Sequence, residues 1–216
     1  LQSNAIIWVE GPSDRIYLNH WIKAVDERLI EGIHYTIMFY GGGLLSHLSA
    51  SDEAMDQFIQ LRKLNRNMAT VIDSDRSEEG MPLKPHAQRL LEEMDGEDGV
   101  VWVTAGREIE NYVDGNKLQT ALKQLHHRLY KSPGNTGPYD HAFYFYRDDP
   151  KNPGRKITHK DGDKVGAANL ICEGDAELDI LDLRNRIERL VQMILKANTM
   201  ADSQASPEDI SDETLA

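Results

Sequence analysis

The chain has 216 residues, of which 40% are hydrophobic and 28% charged, with a formal net charge of −12 and a single cysteine. That length buries a sizeable core, as one large domain or a domain with an insertion. No run of about 18 apolar residues occurs, which excludes an apolar membrane-spanning helix, and a lone Cys172 excludes an intramolecular disulfide and fits a reducing cytoplasm, the expected compartment.

The charge is unevenly spread. From Glu173 to the end there are eleven acidic and four basic residues, whereas Lys117 to Lys164 holds ten Lys/Arg against five Asp, with His126, His127, His141 and His159 besides. A basic middle within an acidic chain leaves nucleic acid open as a partner, because distribution decides such contacts more than the sum does.

In chain order, Ala5–Val9 reads as a strand with no leader before it, a start that suggests a piece of a longer protein. Glu10-Gly11-Pro12-Ser13-Asp14 follows. Gly-Pro makes a tight exit, Ser13 is the expected N-cap, and Leu18, Ile22, Val25 and Leu29 mark the buried stripe of a helix. Asp14 falls in its first turn, where the helix dipole favours an anion. His34–Tyr40 reads as a second strand broken by Gly41-Gly42-Gly43. These glycines lack the Lys-Ser/Thr of a P-loop, so a tight turn is the first reading and a phosphate contact the second. A helix through Met55, Phe58, Ile59 and Leu61 leads to a third strand, Met68–Ile72, which ends abruptly in Asp73-Ser74-Asp75.

Two carboxylates at the end of a buried strand repel each other and resist desolvation, a conflict that a hard cation with oxygen ligands resolves. A lone Asp-x-Asp is more often two solvated side chains. The balance changes because Glu10 and Asp14 follow one strand end and Glu108 and Glu110 follow another, the fourth, Val100–Val103. Alternating strands and helices predict a parallel α/β sheet covered on both faces, and ligands of such sheets collect outside the carboxyl ends of the strands.

Beyond Lys117, helical residues run to about Tyr130, and Pro133–Pro138 reads as a loop. Tyr139, Phe143, Tyr144, Phe145 and Tyr146 then precede further Lys and Arg. Basic groups with aromatics can hold a phosphate backbone and stack bases, or form a small satellite core with a solvated basic face; the two readings stand level. Lys164 re-enters an apolar stretch. Ile180, Leu183, Ile187, Leu190, Val191 and Ile194 predict a final amphipathic helix over about Leu178–Ala197, and Ala201–Ala216 an acidic tail.

A strand-end Glu four residues before an Asp, a glycine-broken strand, and Asp-x-Asp on a later strand resemble the Toprim domain. Trp8-Val9-Glu10-Gly11-Pro12-Ser13-Asp14-Arg15, Val71-Ile72-Asp73-Ser74-Asp75, Arg107-Glu108-Ile109-Glu110-Asn111-Tyr112 and Asp163-Lys164-Val165 together resemble the Toprim half of the OLD (overcoming lysogenisation defect) family of ATP-dependent endonucleases. The resemblance runs from the first strand to about Ala168. It implies a Toprim-type, Rossmann-like core over residues 1–112, a basic, aromatic-containing helical insertion over 113–163, a closing segment with the C-terminal helix over 164–200, and a tail over 201–216.

By the same resemblance Glu10, Asp14, Asp73, Asp75 and Glu108 or Glu110 are metal ligands, with Glu78 a lesser candidate. Glu10 could also serve as acid/base, and Lys164 would stabilise transition-state charge. The implied activity is metal-dependent DNA endonuclease or nickase, with two Mg²⁺ or Mn²⁺ ions about 3.5–4 Å apart flanking the scissile phosphate. The implied partners are DNA and an N-terminal ATPase domain, with a homodimer as a further candidate. No Gly-x-x-x-x-Gly-Lys-Ser/Thr motif occurs, so this chain carries no ATP site of that kind. The rival readings are a haloacid-dehalogenase-type phosphatase, with Asp73 as nucleophile, and a non-catalytic nucleic-acid-binding or regulatory module.

Overall fold

The structure is a computed structural model in which residues 3–40, 56, 59, 66–96 and 99–202 are described. The readings of Gly41–Gly43, of the helix around Phe58, and of the acidic tail beyond Asp202 lie outside the described residues.

Strand β1 (Ala5–Val9) is followed by helix α1 (Pro12–Val25), strand β2 (Tyr35–Phe39), strand β3 (Met68–Ile72), helix α2 (Pro85–Met94) and strand β4 (Gly99–Val103). The four strands form one sheet in the order β2-β1-β3-β4. Every pairing is parallel, with Ile7 opposite Ile37, Ile6 opposite Met68, and Met68 opposite Gly99. Parallel strands are buried on both faces, which is why β3 and β4 read as continuous apolar runs and are buried at every position.

The two faces divide with the strand period of two. Ala69, Val71, Val100 and Trp102 pack towards α1 and the last helix, α5 below, while Met68, Ile72, Val101 and Val103 pack on Ala87, Leu90 and Met94 of α2. The chain is thus α/β, a parallel sheet with helices on both faces, in keeping with a Rossmann-like fold.

Helix α1 starts two residues earlier than Ser13 would set it. Gly11 is the N-cap and Pro12 the first helical residue, where a missing N–H costs nothing. Asp14, three residues on, reaches back with Oδ2 to the amides of Gly11 (3.0 Å) and Glu10 (2.9 Å). Its carboxylate does the capping expected of Ser13, whose hydroxyl instead donates to Asp14 Oδ1. The helix ends at Val25, so buried Leu29 lies in the connection beyond it.

The segment after β4 is not wholly helical. It contains helix α3 (Gly115–Leu125) and a three-stranded antiparallel sheet of β5 (Ser132–Pro133), β6 (Phe145–Asp148) and β7 (Lys156–His159). Phe143 and Phe145 are buried there with Leu118 and Leu122, so part of the aromatic run is indeed a satellite core. Helix α4 (Lys164–Ile171) then packs on α3 and α1, and α5 (Leu183–Ala197) packs on α1. The expected start of α5 near Leu178 is five residues early. Leu181 adopts φ 51°, a left-handed conformation that breaks a helix, and Asp182 becomes the N-cap. Among the described residues no helix is long and apolar enough to cross a membrane.

Candidate active site at the strand ends

In this sheet β2 lies outside β1 on one side, while β3 and β4 lie on the other, so the order reverses between β1 and β3. A crevice opens outside the carboxyl ends of strands at such a reversal. Glu10 is the first residue after β1, and Asp73 the first after β3. Their strands are hydrogen-bonded neighbours, about 4.8 Å apart. Glu108 and Glu110 stand in the turn after β4, which tightens into a short 3₁₀ helix at Ile109–Tyr112.

Lys164 arrives from more than fifty residues further on, as the first residue of α4. Asp163 caps that helix through the Gly166 amide at 2.8 Å. The Lys164 ammonium lies 3.6 Å from Glu108 Oε2 and 3.8 Å from Glu110 Oε2.

The loops that carry the acids are knitted together. Asp73 Oδ1 accepts from the Ile109 amide (2.9 Å), and the Asp75 amide donates to Arg107 O (2.9 Å). The Ser74 amide donates to Thr104 Oγ1 (2.9 Å), and the Ser74 hydroxyl to Gly106 O (2.6 Å). Asn111 accepts from the Glu108 amide at 2.8 Å and donates to the carbonyls of Gly137 and Asp140, each at 3.2 Å. Glu108 Oε1 takes the Ala142 amide at 2.7 Å. Gly106 is required in this seam, since a Cβ there would lie 2.6 Å from Pro138 O and 2.7 Å from Asn111 Cβ. Aligning groups fixed in this way lose little entropy when a ligand binds.

Electrostatically the acids form one cluster. Burial raises the Asp73 carboxyl well above its usual range, and Glu110, Asp14 and Glu10 push it further. Glu110 is 1% exposed, and neither of its carboxylate oxygens has a hydrogen-bond partner among the described residues. Burial pushes its pKa up to about 8 against the pull of Lys164. Glu10 is raised by desolvation and by Asp14 beside it. Asp14 is raised by burial, while the amides of Gly11 and Glu10 hold it down. For Lys164 burial works against the charge, but Glu110, Glu108, Asp73 and Asp14 outweigh it and hold the ammonium above its ordinary value.

Six of the expected residues therefore share one crevice, with unequal freedom. Glu10, Asp73, Glu108 and Glu110 each keep at least one oxygen that no backbone amide engages. Asp14 is committed to the cap. Asp75 follows at φ 55° with an exposed side chain that pairs with Lys84, although its charge is still felt at Glu10. Glu78 is exposed. Among the described residues no group of three or more His, Cys, Asp or Glu side chains is gathered tightly enough to hold a metal ion as they lie. The chemistry of the donors fits a cation, Glu110 above all, because its oxygens are both buried and unpartnered; closing a ligand shell requires side-chain rotation.

Sequence reasoning passed over three supports. Tyr40, at the end of β2, is buried, and its hydroxyl donates to Val71 O while facing Asp73, Glu10 and Asp14. Its place as the next strand end was the available signal. Asn111 and the Ser74/Thr104 pair carry no signal by residue type, since their partners are backbone groups brought close only by the fold.

Comparison with protein-family models, curated proteins and solved structures returned no match.

Proposed function

We propose that the chain is a divalent-cation-dependent phosphodiesterase acting on DNA, an endonuclease or nickase, and that its parallel sheet is of the Toprim type. The observation that carries this reading is the Glu110 carboxylate, buried without a hydrogen bond, beside Asp73 and 3.8 Å from the Lys164 ammonium. Buried carboxylates without hydrogen bonds are costly unless protonated or bound to a cation. A single lysine does not balance Glu10, Asp14, Asp73, Glu108 and Glu110 together.

In this reading Glu10, Asp73, Glu108 and Glu110 hold the ions, Mg²⁺ or Mn²⁺. Bound there, such ions supply a nucleophilic water at neutral pH and neutralise charge on the phosphate. Asp14 fixes the Glu10-Gly11 corner through its two amide bonds, which sets the direction in which Glu10 leaves β1. Lys164 offers its ammonium to the non-bridging phosphoryl oxygens as charge builds on them. Glu10 is mainly a ligand; its raised pKa also suits it to exchange a proton with water at the site. Toprim-type assembly with an ATPase domain on a separate segment belongs to the same proposal and rests on the motif resemblance alone.

The test is nicking of supercoiled plasmid by the full chain with Mg²⁺ or Mn²⁺, against a chelator control and an Asp73→Ala variant. Metal-dependent nicking absent from the variant is the expected result. Undiminished cleavage by Asp73→Ala refutes the assignment. Hydrolysis of small phosphate esters with no action on DNA moves it to the phosphatase class, and metal binding without any cleavage moves it to a non-catalytic module.

A further inference from the structure

The small antiparallel sheet has one packed face and one open face. Phe145, in the middle of it, is fully buried against α3, whereas Tyr146 beside it is 37% exposed. Cross-strand register places Tyr146 opposite Thr158 and Phe145 opposite His159. By the strand period of two, Tyr144 then lies on the same side as Tyr146, facing Lys160. The side chains agree, with the Lys160 ammonium 5.6 Å over the Tyr144 ring. Lys156 and Thr158, on the same side of β7, are exposed. The open face thus carries Tyr146 and Asp148 along one strand and Lys156 and Thr158 along its neighbour, with Tyr144 and Lys160 at the near end.

This face is joined to the acidic crevice. The His141 ring stacks on Tyr144 with centroids 4.2 Å apart and planes 18° from parallel. His141 Nδ1 accepts from Arg107 Nε at 3.2 Å, and Arg107 immediately precedes Glu108. Arg107 N donates to Pro138 O at 2.8 Å, which fixes the start of the tyrosine strand's approach to the site. The line Arg107, His141, Tyr144, Lys160 therefore leads from the strand ends onto the open sheet, with two stacked rings between two cations. A concavity whose lining includes Asn135, Asp140, His141, Tyr144, Tyr146 and Thr158 runs beside it, with Asp140 turned to the Gly137 amide at 3.1 Å and the Asn135 side-chain amide at 3.3 Å.

We infer that this open face binds an unpaired nucleic-acid strand leading away from the acidic crevice, with a base stacked on Tyr146 and phosphates met by Arg107, Lys160 and Lys156. The inference rests on the phosphodiesterase reading for its direction and deepens it by naming the substrate class, a single-stranded or locally unpaired segment. Duplex bases hide their faces within their own stack, whereas an open sheet with aromatics takes up exposed base faces with little sequence preference. Among the described residues Lys160 has no ion pair, and the acid nearest the far end of the row, Asp148, is held by Lys131 at 3.0 Å.

The experiment is fluorescence anisotropy on the full chain with labelled oligothymidylate of about 12 nucleotides, within the span single-strand platforms cover, and a blunt duplex of equal length. A chelator is present throughout, so that no cleavage occurs. The single strand should bind more tightly than the duplex. Tyr146→Ala should weaken single-strand binding about tenfold, Tyr146→Phe should restore it, and Lys160→Glu should weaken it with a shallower salt dependence. Equal affinity for the two ligands, or wild-type binding by both Tyr146→Ala and Lys160→Glu, overturns the inference. Tyr146 and Lys160 are exposed, so these variants fold, and circular dichroism confirms it. Ring-dependent binding by a chain that never nicks plasmid leaves this inference standing and removes the phosphodiesterase reading, while nicking without ring-dependent binding removes this inference alone.

Discussion

Asp73 Oδ1 accepts a hydrogen bond from the Ile109 amide at 2.9 Å, so the carboxylate that ends β3 is aimed by the turn that follows β4. One oxygen is thereby fixed and the other left for the crevice. Replacing the charge while keeping the acceptor separates the two functions of this side chain. Asp73→Asn should abolish metal-dependent nicking yet stabilise the metal-free protein at pH 8 by about 1–3 kcal/mol, because a buried charge facing Glu110, Asp14 and Glu10 disappears. Asp73→Ala, which also strands the Ile109 amide, should gain less. Urea unfolding in a chelator measures both. A metal-free Asp73→Asn less stable than wild type would mean that the carboxylates do not repel.

Lys164 works in the opposite sense. Lys164→Met leaves Glu108 and Glu110 facing each other with no cation between them. The lysine side chain is 49% exposed, so solvent screens the loss, and about 1 kcal/mol of metal-free stability is the expected cost. Calorimetry should show Mn²⁺ binding intact, while single-turnover cleavage slows by about a hundredfold. Lost metal affinity with unchanged cleavage in saturating metal would give this residue another role.

The acids also fix a pH dependence. Glu10, Asp14, Asp73 and Glu110 all have folded pKa values above their unfolded ones, Glu110 at about 8. Across the interval from the ordinary carboxyl value of 4.5 to about 8 these four carboxyls therefore hold more protons in the folded state than in the unfolded one, while His20, His86 and His126, whose pKa values burial lowers, hold fewer near and below 6.5. Above about pH 7 the unfolded histidines have also lost their protons, the carboxyls set the trend, and stability of the metal-free protein falls as pH rises, by up to about 1.4 kcal/mol per pH unit for each excess proton. Mg²⁺ or Mn²⁺ should reverse the trend by replacing the protons, so the rise in melting temperature on adding metal grows with pH. Thermal melts at about pH 7, 7.5 and 8, with metal and with chelator, would test this; a metal-free protein that gains stability over that range would contradict it.

Asn111 and Gly106 test whether the seam between the acidic turn and the small sheet matters to the site. Asn111→Ala removes bonds to Glu108, Gly137 and Asp140, at a cost of about 1–3 kcal/mol. Gly106→Ala forces a methyl against Pro138 O and Asn111, at a similar cost. Hydrogen exchange of the Ile109 and Ala142 amides should quicken in both variants, and cleavage should fall even where the fold persists. Unchanged protection at Ile109 would show that the turn holds its shape alone.

The strand ends were legible in the sequence because β-branched apolar runs stop at carboxylates, and Met68–Ile72 followed by Asp73 is the plainest case. Their convergence follows from parallel topology, which neighbouring strands with one direction enforce. The antiparallel sheet was not legible. Phe145–Asp148 and Lys156–His159 are four residues each, rich in charge, and only Phe145 is buried among them, so no window carries a strand period. The start of α5 was misread because Ile180 continues the helical spacing, while the break at Leu181 is a backbone conformation that residue type does not announce. Ser13 lost its expected capping role to Asp14, since Pro12 suits the first helical position and thereby set Gly11 as the cap. Unequal freedom among the acids was invisible for a related reason, as it depends on which backbone amides each carboxylate meets.

The order in which the chain is made gives Lys164 and α5 a further consequence. All five crevice acids emerge from the ribosome before the lysine that faces them, and the helix covering one side of β1 and β4 comes later still. A nascent chain halted near residue 112 would hold its negative groups without the Lys164 counter-charge and one face of its sheet covered by α1 alone. Closure of that face should therefore wait for residues 164–197, so that α4 and α5 act as the keystone of assembly.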